Sequence, residues 1–295
     1  MTGTADAGTD RVLAHYGTAP LWERVGEALD AAGLRADRIE WARLAPLDEV
    51  HVRGLPATRE LAQALAPAAG DAVLDVGSGL GGPARLLAAE FGCRVTGVDL
   101  NPEFVDVATR LTERTGLGEL VRFEAANALS LPFADGEFQR VITQHVAMNI
   151  ADRAGLYAEI ARVLAPGGRL AIHDVVARDG DPPRYPLPWA SEPEASHLRS
   201  AGQTRAAVAR AGFTELGYTD QTQVSADWFA AQLRPAPAAT APSPSAPAGA
   251  LPFGLPVIMG PRFAEMTRNL AGNLADGRLG VLQLVAERTT APPAR

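Results

Sequence analysis

The residues of this chain best suited to chemistry fall in two short runs. Asp75-Val76-Gly77-Ser78-Gly79-Leu80-Gly81-Gly82 sets a carboxylate just before a glycine cluster, and Gln144-His145 ends the apolar run Arg140-Val141-Ile142-Thr143. Glycine lets a backbone approach a ligand closely. Pro83 to Glu90 behind it reads as a helix whose first N–H groups are free to meet that ligand. His145 has an ordinary pKa near neutrality, which makes it a candidate acid or base, with Gln144 as its polar neighbour. Its other reading is a structural histidine that orients the loop. A third group, Asp99, closes the run Cys93-Arg94-Val95-Thr96-Gly97-Val98 and lies 22 residues after Gly77. That position suits a carboxylate accepting both hydroxyls of a ribose.

Elements that could position these residues follow from the apolar pattern. Ala72 to Val76, Cys93 to Asp99, Leu120 to Ala125, Arg140 to Thr143, Arg169 to Val176, Phe213 to Thr219 and Gly280 to Ala286 read as seven strands. Helices are expected from Leu21 to near Gly33, through Thr58, Leu61 and Leu65, over Pro102–Thr115 and Gly155–Leu164, from Ser200 to Ala211, and around Phe263, Met266, Leu270 and Leu274. Asn101 stands before Pro102 as an N-cap, with a second ribose contact as its other reading. Pro166-Gly167-Gly168 reads as a helix stop before strand five. This alternation predicts an α/β fold, a Rossmann-like and mostly parallel seven-stranded sheet with helices on both faces and a partly helical lid. Ligands in such sheets bind beyond the carboxyl ends of the strands. Gly77, Gly79 and Gly82 alone also satisfy G-x-G-x-x-G, which leaves a nicotinamide or flavin site open.

The ordered series of motifs from Leu47 to Val176 resembles the class I S-adenosylmethionine (SAM) dependent methyltransferases. Within it, Gln144-His145-Val146-Ala147-Met148-Asn149-Ile150 resembles the small-molecule group near the sarcosine/dimethylglycine and glycine N-methyltransferases. The resemblance implies SAM as cofactor, on Arg53, Asp75, Gly77, Gly79, Asp99, Leu100, Asn127, Ala128 and Gln144. Gln144 and His145 would border the reaction. Arg53 would pair with the methionine carboxylate, a bidentate match, or be a surface arginine at a helix start. His51, two residues before it, faces the same choice. Asn127 stands where the family commonly has aspartate for the adenine amino group; its carbonyl can accept the same bond. His173 and Asp174 at the end of strand five read as structural.

Composition narrows the partners. A net charge of −7 argues against a nucleic-acid surface, so the expected partner is a small-molecule methyl acceptor, with self-association left open. All 27 basic residues are arginine, and without lysine a Schiff-base mechanism is excluded. Cys93 is the only cysteine, so neither an internal disulfide nor a thiolate metal cluster is expected, and no metal is assigned. No apolar run approaches a membrane span and the first residues lack signal-peptide character, so a cytoplasmic setting is expected. The organisation expected is an N-terminal helical cap over residues 1–54 and a methyltransferase domain over 55–295. Lid segments are expected near 179–197 and 225–278, a linker from Pro235 to Pro247, a loose tail at 1–10, and a packing or lid role for His15-Tyr16-Gly17. The rival functions are ring closure or elimination on the same SAM-binding fold and, further off, a nicotinamide oxidoreductase.

Overall fold

A computed structural model of the 295-residue chain describes residues 20–34, 37–234 and 253–289. The expectations for residues 1–10, for His15-Tyr16-Gly17 and for the linker Pro235 to Pro247 lie outside the described residues. The described strands are β1 (Ala72–Val76), β2 (Arg94–Asp99), β3 (Val121–Ala125), β4 (Phe138–Gln144), β5 (Leu164–Ala177), β6 (Phe213–Asp220) and β7 (Leu279–Arg288). They form one sheet in the order β3-β2-β1-β4-β5-β7-β6. Neighbours from β3 through β5 run parallel, and β7 is antiparallel to both β5 and β6.

The parallel centre is buried on both faces, and the side chains of β1 divide between them with a period of two. Leu74 and Val76 join a core with Leu156 and Ile160 of helix α6 (Arg153–Val163) and Val208 of α7 (Ala201–Arg210). Val73 joins a second core, with Leu61 and Leu65 of α3 (Gly54–Leu65) and Leu86 and Leu87 of α4 (Gly82–Phe91). A third core packs α1 (Leu21–Ala31) against α5 (Pro102–Thr115) and α9 (Pro256–Met259). Between α1 and α3 lies the short helix α2 (Ala45–Asp48). Around the carboxyl end of β5, Leu187 and Phe229 pack with Leu270 and Leu274 of α10 (Phe263–Ala275).

Two elements depart from the expected pattern. Pro166-Gly167-Gly168 is part of β5 and not a turn ahead of it. Phe138 pairs with Leu164 and Arg140 with Arg169, so the extra residues form a bulge, with Gly167 at φ 75°. Helix α8 (Thr222–Gln232) occupies a stretch read only as part of a lid segment. It buries only Ser225 and Phe229, too few positions to print a helical stripe on the sequence.

Candidate active site

Strand order reverses at β1, whose neighbours are β2 on one side and β4 on the other, and the crevice beyond their carboxyl ends is the expected ligand position. The turn after β1 is tied down from β2. Gly77 N and Ser78 N donate to Val98 O at 2.8 and 2.9 Å, and Gly79 N donates to Asp99 Oδ2 at 2.9 Å. Asn101 N donates to Asp99 Oδ1 at 2.9 Å, and the Asn101 side chain caps α5 by accepting from Glu103 N. Asp99 is half-buried, Leu100 and Asn127 are exposed, and Ala128 is half-buried beside Asn127. Asn127 Oδ1 accepts from Leu129 N at 2.9 Å within its own turn.

The turn after β4 packs directly onto this one. Val146 lies so close to Gly77 that a Cβ there would stand 2.2 Å from Val146 Cγ2. His145 takes φ 55°, a left-handed conformation costly for a non-glycine residue, and its N–H donates to His173 O at 2.8 Å. Asp174 Oδ1 accepts from Val146 N at 3.0 Å and so braces the same turn. The structural readings of His173 and Asp174 fit these contacts.

His145 stacks on His173 with ring centroids 5.4 Å apart, and His51 meets both rings edge-on at 5.9 Å. Burial, then the charges of His173 and His51, hold the His145 imidazole pKa well below its ordinary value, and His173 is lowered to about 3 mainly by burial. Both rings are therefore neutral at pH 7, and His145 Nε2 has no hydrogen-bond partner. Among the described residues no set of three or more His, Cys, Asp or Glu side chains is arranged to hold a metal ion.

Arg53 lies beside the crevice at φ 70°, buried. Its guanidinium grips both carboxylate oxygens of Glu60, at 2.9 and 2.5 Å, and donates to Gln221 Oε1 at 3.1 Å. Gln144, by contrast, joins a group that the sequence does not announce. Its amide lies 3.2 Å from His51 Nε2 and 3.4 Å from Thr58 Oγ1, and both of those side chains contact the buried Glu49. Glu49 and Thr58 were not among the expected site residues. The only trace of them is an acid two residues before His51 and a threonine on the helix that follows.

Asp75, at the end of β1, is buried with Oδ2 unpartnered. Burial, then the negative charges of Glu49 and Asp99, push its carboxyl up to about 8. A carboxyl whose folded pKa is raised binds its proton more tightly in the native state. Its contribution to stability is full below the unfolded value near 4 and is lost as pH rises to about 8. The lowered histidines, which titrate near 6.5 in the unfolded chain, oppose this loss, and the raised Asp48 and Asp174 add to it. The Asp75 share, up to about 1.4 kcal/mol per pH unit, is therefore the difference in slope between the parent and Asp75→Asn. Urea unfolding at pH 6.5 and pH 8 is expected to show it in the parent. Asp75→Asn, an amide in place of the protonated acid, should flatten the slope; an unchanged slope counts against a protonated Asp75.

A glycine turn braced by an acid-ended β2, at the switch point of a mostly parallel sheet, defines a nucleotide-binding α/β protein. Comparison with known proteins narrows this. The methyltransferase domain family matches residues 74–172, from β1 into β5. The 27-O-demethylrifamycin SV methyltransferase of Amycolatopsis mediterranei is 31% identical over 200 residues, covering 65% of this chain and 70% of that one. The methyltransferase GfsG of Streptomyces halstedii is 38% identical over 138 residues, 47% of this chain and 50% of its own. In fold, the geranyl diphosphate C-methyltransferase of Streptomyces coelicolor A3(2) superposes with a TM-score of 0.67 at 18% identity, covering 98% of this chain and all of that one. The chain belongs to this methyltransferase family, in keeping with the resemblance carried by its motifs. It spans about half the length of the first curated relatives it matches. No helix among the described residues is long and apolar enough to cross a membrane.

Proposed function

We propose that the chain transfers the methyl group of S-adenosylmethionine to a hydroxyl oxygen of a small molecule of specialised metabolism. The carrying observation is the pair of turns after β1 and β4, held against each other through Gly77 and Val146, with Asp99 bracing one and His145 on the other. The residues present suit the cofactor. The Asp99 carboxylate accepts backbone N–H groups of Gly79, Asn101 and Leu100, and its remaining lone-pair capacity suits a ribose hydroxyl. A side chain at Gly79 would meet nothing within 4 Å, so the backbone there opens on free space. Leu100, Asn127 and Ala128 would border the adenine, and Asp75 Oδ2 is a buried acceptor without a partner. Arg53 reaches a cofactor carboxylate only by sharing the fork it gives to Glu60.

Bound SAM supplies a methyl carbon already activated by its sulfonium. The chain has to hold the acceptor in line and exclude water, which in favourable cases is worth about 7–11 kcal/mol. A neutral His145 with a buried, unpartnered nitrogen suits a hydroxyl acceptor, whose proton needs a nearby group to take it once the oxygen carries the methyl group. The name of the rifamycin relative, which specifies an O-demethylated acceptor, supports oxygen as the nucleophile. The net charge of −7 supports a small acceptor over nucleic acid. In this reading the described parts of the lid segments, 179–197, 225–234 and 253–278, cover the acceptor.

Two measurements test it. Calorimetry should find SAM and S-adenosylhomocysteine bound by the parent and roughly 10–100-fold more weakly by Asp99→Ala, the size of losing a hydrogen bond to a charged group. Methyl-labelled SAM should then mark 27-O-demethylrifamycin SV or another hydroxylated compound in a panel that also holds amines and phenols. Equal cofactor binding by Asp99→Ala, preference for NAD, or label on amines alone would overturn the assignment.

A further inference from the structure

Gln144 enters the site from a buried polar group that has no evident packing purpose. Glu49 Oε2 lies 2.7 Å from His51 Nε2 and accepts from Thr58 Oγ1 at 2.5 Å; His51 Nε2 is also 2.9 Å from Thr58 Oγ1. The Gln144 amide closes the group through its nitrogen, 3.2 Å from His51 Nε2 and 3.4 Å from Thr58 Oγ1, which accepts because its own proton goes to Glu49. The four side chains come from three places in the chain: the segment before α3, α3 itself, and the last residue of β4. We propose that Glu49, His51 and Thr58 are a positioning unit that fixes the Gln144 amide at the mouth of the β4 turn and thereby orients the acceptor hydroxyl. This deepens the methyl-transfer reading and rests on it.

Three observations carry the inference. The first is cost. The His51 and Glu49 side chains are 5% and 2% exposed, and taking a carboxylate out of water costs several kcal/mol unless it is well partnered. No arginine neutralises Glu49 directly: Arg53 is bound to Glu60, Arg59 to Glu90 and Arg85 to Asp48. An apolar cluster would join α3 to the sheet without that cost, so packing alone does not account for the group. The second is direction. Among the described residues the polar contacts of the Gln144 side chain go to His51 and Thr58, and with the Thr58 proton given to Glu49 the amide nitrogen is the end that faces them. The third is place. Gln144 pairs in register with His173 and immediately precedes His145, the residue that opens the turn seated on Gly77.

The two ends of the amide are not equivalent to an acceptor. Its oxygen can take a hydrogen bond from a hydroxyl, whereas its nitrogen can only donate. A hydroxyl that donates to the oxygen before transfer keeps its lone pairs free for the methyl carbon; as the O–CH3 bond forms and the S–CH3 bond breaks, its proton passes on to His145 or to water. The unit therefore acts on geometry and on the choice of amide end, and Glu49 and His51 need not touch the acceptor.

The test uses the full chain with Thr58→Val and Thr58→Ser, which keep the shape of the site while removing or retaining the hydroxyl. With the acceptor found by methyl-label screening, Thr58→Val and Glu49→Gln should each lower kcat about tenfold or more, with KM and S-adenosylhomocysteine affinity within about threefold of the parent. Thr58→Ser should recover most of the loss. A Thr58→Val variant with parental kcat, or a Thr58→Ser variant no better than valine, overturns the proposal. A second readout needs no acceptor. In protein labelled with nitrogen-15 at glutamine, the Gln144 side-chain NH2 signals, assigned by their loss in Gln144→Met, should shift on Thr58→Val and again on adding S-adenosylhomocysteine. Signals that move with neither overturn the unit; signals that move while no hydroxyl compound is methylated uphold the unit and overturn the reaction.

Discussion

Arg85→Met is expected to destabilise the folded chain by about 3–5 kcal/mol, the largest loss of any single polar side chain described here. Arg85 is on α4 directly beneath the glycine turn and is completely buried. Its guanidinium donates to Asp48 Oδ2 at 2.6 Å, to Leu80 O at 2.5 Å, and to Thr112 Oγ1 and Ala108 O of α5 at 2.8 and 3.3 Å. One side chain thus ties α2, the glycine turn and α5 together. Methionine fills much of the volume but satisfies none of these acceptors, and it leaves the Asp48 carboxyl buried without its cation. The expected check is a double-mutant cycle by urea unfolding. Asp48→Asn in the Arg85→Met background should recover part of the loss, because the uncompensated acid is then gone. A loss below about 1 kcal/mol for Arg85→Met would show that the pair is dispensable.

That pair also marks a limit of what a sequence discloses. Pro83 to Glu90 reads as a helix, and nothing in that run marks its one arginine for burial, since long basic side chains commonly reach to solvent. The burial of Arg85 makes sense only once Asp48, 37 residues earlier, is brought against it. The same holds for the positioning unit at Gln144. His51 and Gln144 are 93 residues apart, and neither periodicity nor a local motif links them. Interactions of this kind are created by topology, when the segment before α3 folds over the carboxyl ends of β4 and β5.

What is legible is what local chemistry decides. Pro102–Thr115 is readable to the residue because Asn101 caps its start and Gly116, at φ 74°, ends it. Strands β1, β2, β4, β5 and β7 are readable because buried runs are bounded by glycine, proline or acids, and the sheet order places Asp75, Gly77, Asp99 and Gln144 at its carboxyl edge. The β5 bulge is not, because proline and two glycines after a helix signal a stop. Here Leu164 still pairs with Phe138 before the chain kinks. Helix α8 is hidden for the opposite reason, a sequence with too little buried surface to show a period. The family resemblance offers Arg53 as a candidate carboxylate ligand, but its grip on Glu60 required the structure.

Gly77→Ala is expected to remove most cofactor binding and to cost about 2–5 kcal/mol of stability, the sum of two penalties. Gly77 takes φ 76°, where an L-residue with a Cβ costs about 1–2 kcal/mol. The added methyl would also stand 2.2 Å from Val146 Cγ2, an overlap that forces one turn away from the other at about 1–3 kcal/mol. Val146 cannot yield freely: its N–H is held by Asp174 Oδ1, and His145 before it is already left-handed. The strain therefore passes into the turn that carries His145, and the β1 turn must move off the hydrogen bonds to Val98 O that shape it. Calorimetry with S-adenosylhomocysteine and urea unfolding read the two effects separately. Val146→Ala in the Gly77→Ala background should recover the overlap penalty and leave the backbone penalty, so that stability returns to within about 1–2 kcal/mol of the Val146→Ala single variant. Parental stability and affinity in Gly77→Ala would mean that the two turns are not in contact, and with that the shared site would lose its main geometric support.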